Sequence, residues 1–133
     1  MRAFPIEIVT PDGVAYSGMA ESLLVRTTDG DVEILAAHAD FLASLGVGRA
    51  RITEGGESKL ASVAGGFISV KNGEVKMVAT TFEFAEDIDL ARAEAAKAKA
   101  EDQLSSAKDK RDHSLAEARL KRALNRINVK SMR

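Results

Sequence analysis

The chain has 133 residues, of which 45% are hydrophobic and 29% charged, with a formal net charge of −1; it is long enough for one modest core with a small appendage and too apolar for a disordered chain. The near-neutral balance gives no reason to expect a nucleic-acid partner, whose phosphates demand clustered positive charge. The absence of cysteine excludes disulfides, thiolate catalysis and cysteine-ligated zinc.

The opening MRAFPIEIVTPDG predicts no signal peptide, and no apolar run of about 18 residues predicts a membrane span. From Ala3 to about Thr81, short apolar alternations separated by glycine turns predict strands over 6–10, 19–27, 31–35, 43–45, 48–53, 59–64, 67–71 and 74–79, enough for two packed sheets. Asn72-Gly73 has the signature of a two-residue hairpin turn in which both positions need a positive φ. Pro11-Asp12-Gly13 and Gly55-Gly56 mark further turns. Gly65-Gly66 predicts a bulge or tight bend in preference to a ligand site.

After about Glu86 glycine and proline vanish and alanine, lysine, arginine and glutamate take over, the composition of helices. Asp87 is a suitable cap for a helix over 88–105, and SSAKDKRD leads into a second over 113–129, an antiparallel hairpin. The predicted fold is therefore α+β, an antiparallel β-sandwich over residues 1–85 followed by an α-helical hairpin over 86–133. The expected apolar seam joins Ile88, Ala91, Ala95, Ala98 and Leu104 of the first helix to Ala116, Leu120, Ala123, Leu124 and Ile127 of the second. Alanine buries little area at about 25 cal/mol per Å². Such a seam fits a weakly docked, detachable hairpin and equally a short, stable one.

Charge separates the halves. Residues 1–107 carry 10 basic and 17 acidic side chains, and residues 108–133 carry 9 basic and 3 acidic, so the tail is a cation. On helical spacing Arg119, Arg122, Arg126, Lys130 and Arg133 form one stripe beside the seam. The stripe suits an acidic protein surface or a polyphosphate, or it is a solvated face favoured by the helix dipole.

Signs of catalysis are sparse. His38 and His113 are the only histidines and lack a metal-ligand spacing. No GxSxG elbow or GxxxxGK[ST] phosphate loop occurs, and no nucleophile stands beside a base. These residues predict a binding module without catalytic residues or a metal site.

The order of motifs, IEIVTPDGVAYSG at the start, then SVAGGFISVKNGEVKMVA, then EDIDLARAEAAKAKAE, resembles the epsilon subunit of bacterial rotary ATP synthase over the whole chain. VAGGFISV is similar to that family's VSGGFLEV. The resemblance implies a non-catalytic rotor subunit at the cytoplasmic face of the bacterial plasma membrane, associated with it only through the complex. It implies a sandwich seated on the gamma subunit and the c-ring, and a hairpin that folds down or extends along gamma toward the alpha and beta subunits, where it inhibits ATP hydrolysis. Arg119, Arg122 and Arg126 would then meet the beta subunit.

Where the family usually reads G-E-L-G-I-L-P-G-H, this chain has Gly30, Asp31, Val32, Glu33, Ile34, Leu35, Ala36, Ala37, His38, so that the Pro-Gly turn is expected to be lost. The resemblance places c-ring contact at Asp31 and His38. Ile88, Asp89, Leu90, Ala91, Arg92, Ala93 matches the I-D-x-x-R-A pattern that in some members binds ATP as a regulatory ligand. The same resemblance adds Glu83, Lys99, Arg122 and Arg126 to Ile88, Asp89, Arg92 and Ala93 as ATP-binding residues, with Lys99 at a position commonly arginine. Converging guanidinium groups suit a triphosphate, since each donates paired hydrogen bonds. The alternatives are a helix-start motif with an Asp89–Arg92 surface pair and an inhibitor that binds no nucleotide. No cofactor is required on either reading.

Overall fold

The structure, a computed structural model, describes residues 2–132. The chain divides into two compact units, Met1–Phe84 and Ala85–Arg133. Arg133, assigned above to the basic stripe, lies outside the described residues.

The first unit has seven strands: β1 (Phe4–Thr10), β2 (Gly13–Ala20), β3 (Ser22–Thr27), β4 (Gly30–Leu35), β5 (Phe41–Glu54), β6 (Glu57–Lys71) and β7 (Glu74–Phe84). They hydrogen-bond in the order β2-β1-β7-β6-β5-β3-β4. Five neighbouring pairs are antiparallel, as expected of the sandwich, and β1 runs parallel to β7. No hairpin joins those two strands, so nothing fixes their relative direction as a short turn would.

Several strand expectations require correction. The segment 19–27 is not one strand: its start closes β2 and its remainder is β3. The segments 43–45 and 48–53 both belong to β5, and 59–64 and 67–71 both belong to β6. The glycines between them bend strands without ending them. Ser44 faces Phe67 on one side of the break and Val47 faces Ala64 on the other, in one unchanged register, so Gly65-Gly66 is a bend with no bulged residue. Both glycines have positive φ, 70° and 104°. At Gly66 a Cβ would also stand 1.8 Å from the Val78 carbonyl oxygen, a position closed to any side chain.

Those bends curl a single hydrogen-bonded sheet into the sandwich. The edge strand β2 comes back to β5, four places along the order, where the Tyr16 hydroxyl donates to Glu54 Oε2. Every strand places side chains in one core, including Ile8, Leu23, Val25, Ile34, Ile68 and Met77, all fully buried. Each large aliphatic side chain so buried contributes about 1.5–3 kcal/mol. The turn at Asn72-Gly73, with φ of 53° and 77°, is the expected mirror-image type.

In the second unit a 3-10 turn (Ala85–Asp87) precedes α1 (Leu90–Ser105) and α2 (Lys110–Ser131). The cap of α1 is Asp89 rather than Asp87, because the Ile88 N–H closes the 3-10 turn on Ala85 and delays the helix. The start of α2 is likewise Lys110, with Asp109 capping it by accepting from the Asp112 N–H at 2.8 Å. The buried positions of α1 are Ala93 and Ala100, and those of α2 include Ala116 and Ala123. Each pair is spaced two turns apart, as in a close-packed antiparallel seam. The expected Ala91, Ala95 and Ala98 are exposed, and so is Leu124.

Candidate functional site

A cleft of about 360 Å³ opens between the two helices, lined by Ala96, Lys99, Ala100 and Gln103 of α1 and by Arg119, Arg122 and Arg126 of α2. The α1 residues follow the i, i+3, i+4, i+7 rule and those of α2 the i, i+3, i+7 rule, so each set shares one helical face. The small side chains of Ala96 and Ala100 leave the space, and the long cationic ones surround it. Among the described residues no acidic one lines it. Arg119 Nη1 donates to Gln103 Oε1 at 3.2 Å, which ties the mouth of the cleft across the hairpin. Four cationic side chains around one opening set up a positive field there, which attracts an entering anion. Chemically, the cleft can bind an anion with several acidic oxygens.

Lys99, Arg122 and Arg126 are thus brought together, and Arg119, expected only as a contact for the beta subunit, lines the same cleft. Arg92, Ile88, Asp89 and Ala93 do not line it. Asp89 caps α1, and its Oδ1 accepts from the Arg92 backbone N–H at 3.1 Å. Ile88 precedes the cap and Ala93 is the fourth helical residue; both are buried, at the spacing of a hydrophobic staple. The I-D-x-x-R-A motif therefore has a complete local role in starting the helix. Glu83 lies on β7, opposite Ser62. Ala96, Ala100 and Gln103 are the cleft residues that the sequence reading missed; their i−3, i+1 and i+4 spacings from Lys99 were the available signal.

The first unit carries two further surfaces. Asp31, the second residue of β4, pairs with Arg26, whose Nε donates to Asp31 Oδ1 at 2.6 Å, while Arg49 Nη2 stands 3.8 Å from Oδ2. The hydrogen bond from Arg26 holds the Asp31 carboxyl below its ordinary range. His38 lies beyond the other end of β4. Its Nδ1 is 2.7 Å from the Ala39 carbonyl, which can only accept, so the proton sits on Nδ1. The expected loss of the turn before His38 is corrected: His38 N–H donates to Leu35 O at 3.2 Å, and Ala37 takes φ 65°. With only the third position at positive φ, this is a type II turn with alanine where glycine is favoured.

The second surface is an apolar row on the outer side of the sheet. Val14 pairs with Val9, Val9 with Val78 and Val78 with Phe67. On β5 the row meets Ser44, and Leu42, 73% exposed, lies two residues along from it, opposite Ser69.

Among the described residues no group of three or more histidines, aspartates or glutamates could hold a metal, and no helix is long and apolar enough to cross a membrane. A curled sheet with an apolar outer row, joined to a helical hairpin with a cationic cleft, defines a small binding protein whose surfaces carry its function. Residues 3–85 match the family model described as ATP synthase, Delta/Epsilon chain, beta-sandwich domain, and residues 86–131 match its long alpha-helix domain. The chain is 42% identical over 129 residues to the ATP synthase epsilon chain of Bacillus velezensis, covering 97% of this chain and 98% of the relative. It is 39% identical over 133 residues to that of Bacillus cytotoxicus, with both chains fully covered. A chain of the Euglena gracilis mitochondrial ATP synthase has the same fold, with a TM-score of 0.78 at 22% identity, covering 91% of this chain and 77% of that one. The protein belongs to the ATP synthase epsilon family, whose members are non-catalytic subunits.

Proposed function

We propose that this epsilon chain turns with the rotor at the cytoplasmic face of the bacterial plasma membrane, couples the catalytic head to the c-ring, and inhibits ATP hydrolysis through its hairpin under control of ATP. The observation that carries the regulatory part is the cleft of Lys99, Arg119, Arg122 and Arg126 on a hairpin joined largely through alanine. A triphosphate in that cleft bridges both helices and holds the hairpin folded. When ATP is scarce the hairpin leaves, and Arg119, Arg122 and Arg126 meet an acidic surface of the beta subunit. The apolar row Val14-Val9-Val78-Phe67 is the surface for gamma, and Asp31 and His38 bracket the edge that meets the c-ring.

Calorimetric titration of the chain with MgATP tests this reading. Heat of binding is expected, together with a rise in melting temperature that follows RT ln(1 + [L]/Kd), about 2.7 kcal/mol at a hundredfold excess. Arg122→Ala and Arg126→Ala are expected to abolish both. Absence of heat at millimolar MgATP overturns the nucleotide part.

A second reading, inhibition without nucleotide, is favoured by one specific observation: Asp89, Ile88 and Ala93 are already engaged in starting α1, and Arg92 lies outside the cleft. On that reading the four cations serve only the beta subunit.

A further inference from the structure

Arg26 occupies an unusual place in the sheet. Val25 pairs with Ala50 of β5 and Thr27 with Leu45, so Gly46, Val47, Gly48 and Arg49 all stand opposite Arg26 alone. Two of those four are glycine, and neither has a positive φ, so backbone conformation does not call for them. Space does. A Cβ on Gly48 would come within 2.5 Å of Arg26 Cβ and 2.8 Å of its Cγ, and one on Gly46 within 3.3 Å of the Thr27 carbonyl oxygen and 3.5 Å of Arg26 Cγ. The stem of Arg26 therefore lies in a slot that the two glycines leave open, and the slot aims its guanidinium along the outer face at Asp31.

Both carboxylate oxygens of Asp31 face cations there, Oδ1 toward Arg26 and Oδ2 toward Arg49. The next acid on the same strand face, Glu33, lies 3.8 Å from Arg51. Arg26 contributes its Nε to Asp31, and its two terminal nitrogens remain as further donors, because a guanidinium carries five N–H groups. The Arg26 and Arg49 side chains are 48% and 36% exposed. The edge thus offers more donors than acceptors, and its one aspartate is already matched.

We propose that Arg26, seated in the Gly46/Gly48 slot, is the positioning residue for Asp31, and that this edge meets its partner as an Arg26–Asp31–Arg49 cluster suited to a loop rich in oxygen acceptors. The partner is the polar loop of the membrane ring, so this second clause rests on the reading of Asp31 as a ring contact; the positioning clause does not. The slot fixes Arg26, Arg26 fixes Asp31, and the remaining donors of the Arg26 and Arg49 guanidinium groups carry the contact.

Two measurements separate the clauses. In the isolated full chain, the Asp31 carboxyl is titrated by NMR. Arg26→Gln is expected to raise its midpoint toward the ordinary carboxylate value. Gly48→Ala is expected to do the same while keeping every charge, because the new methyl displaces the Arg26 stem. If either variant does not fold, the other decides, and an unmoved midpoint overturns the positioning role. In the reassembled synthase, Arg26→Gln is expected to weaken retention of this subunit on the ring about tenfold, the loss of a charge-assisted hydrogen bond, and Asp31→Asn to weaken it less. The reverse order overturns the acceptor-loop partner. No effect from either, with the titration as expected, overturns the assignment of this edge to the ring and leaves the positioning role standing.

Discussion

The ammonium of Lys130 donates to the backbone carbonyl of Ala85 at 2.9 Å, joining the last turn of α2 to the 3-10 turn that opens the same unit 45 residues earlier. Ala85 O already accepts from the Ile88 N–H at 3.2 Å, so one carbonyl fastens both the turn and the far end of the hairpin. Beside it Val129 and Ile88 are buried.

Lys130→Met is expected to loosen that end. A hydrogen bond from a charged group is worth about 1.5–3 kcal/mol, and partial exposure lowers this to about 1 kcal/mol. Hydrogen exchange of the amides at 128–131 is expected to speed up about fivefold, with the first half of α1 unchanged and Lys130→Arg near wild type. Equal acceleration along the whole hairpin would mean that this contact is not a local fastening.

Ala37→Gly is expected to stabilise the first unit. A left-handed alanine costs about 1–2 kcal/mol, against which glycine loses about 0.5–1 kcal/mol through the freedom of the unfolded chain. A net gain of about 0.5–1 kcal/mol should appear as a higher midpoint in urea with an unchanged slope. A lower midpoint would show that the alanine methyl makes contacts worth more than the strain.

Tyr16 links stability to alkaline pH. Burial, and then the hydrogen bond and charge of Glu54, push its hydroxyl up to about 12. The unfolded value is about 10, so the folded state holds its proton longer. The contribution is fully present below about pH 10 and is lost as pH rises toward 12. Solvent screening of this partly exposed group limits it to about 1 kcal/mol. Tyr16→Phe is expected to remove this part of the pH dependence, and an identical alkaline profile in both proteins would refute the link.

Lys99→Arg is expected to tighten MgATP binding several-fold, because the planar fork can donate two hydrogen bonds where the ammonium is a point charge. Raising salt should weaken binding in both forms. Unchanged affinity would place Lys99 outside the ligand.

A chain ending at Phe84 is expected to fold and to assemble with gamma without inhibiting hydrolysis, since residues 1–84 form their own compact unit with a complete core. Persistence of inhibition would assign that activity to the sheet.

The sequence was most readable where chemistry is local. Asn72-Gly73 admits one turn type, and the change after about Glu86 to alanine, lysine, arginine and glutamate without glycine or proline announces the helices. It misled on strand continuity: 43–45 and 48–53, and 59–64 and 67–71, read as separate strands, yet β5 runs through Gly46 and β6 runs through Gly65-Gly66, which form the expected bend without ending it. In α1 alanine occurs on every face, so periodicity could not tell the exposed Ala91, Ala95 and Ala98 from the buried Ala93 and Ala100. For the cleft, spacing and family likeness pointed to Lys99, Arg122 and Arg126. The I-D-x-x-R-A match could not distinguish a ligand contact from a helix cap, because both use a carboxylate beside free N–H groups. Two turns with the pattern T-x-D-G share one hydrogen-bond arrangement that strand periodicity does not reveal. In both Thr10-Pro11-Asp12-Gly13 and Thr27-Thr28-Asp29-Gly30, the threonine hydroxyl accepts from the aspartate N–H and donates to the glycine carbonyl.

The curling of β5 and β6 has a mechanical consequence. In a sandwich built from separate sheets, side-chain packing alone resists sliding of one layer over the other. Here two strands pass through the corner as unbroken backbone, side by side and in one register, so sliding the layers must bend peptide geometry and strain hydrogen bonds as well as disturb packing. Shear applied at the outer face is therefore carried along covalent chain and its paired hydrogen bonds, and not by packing alone.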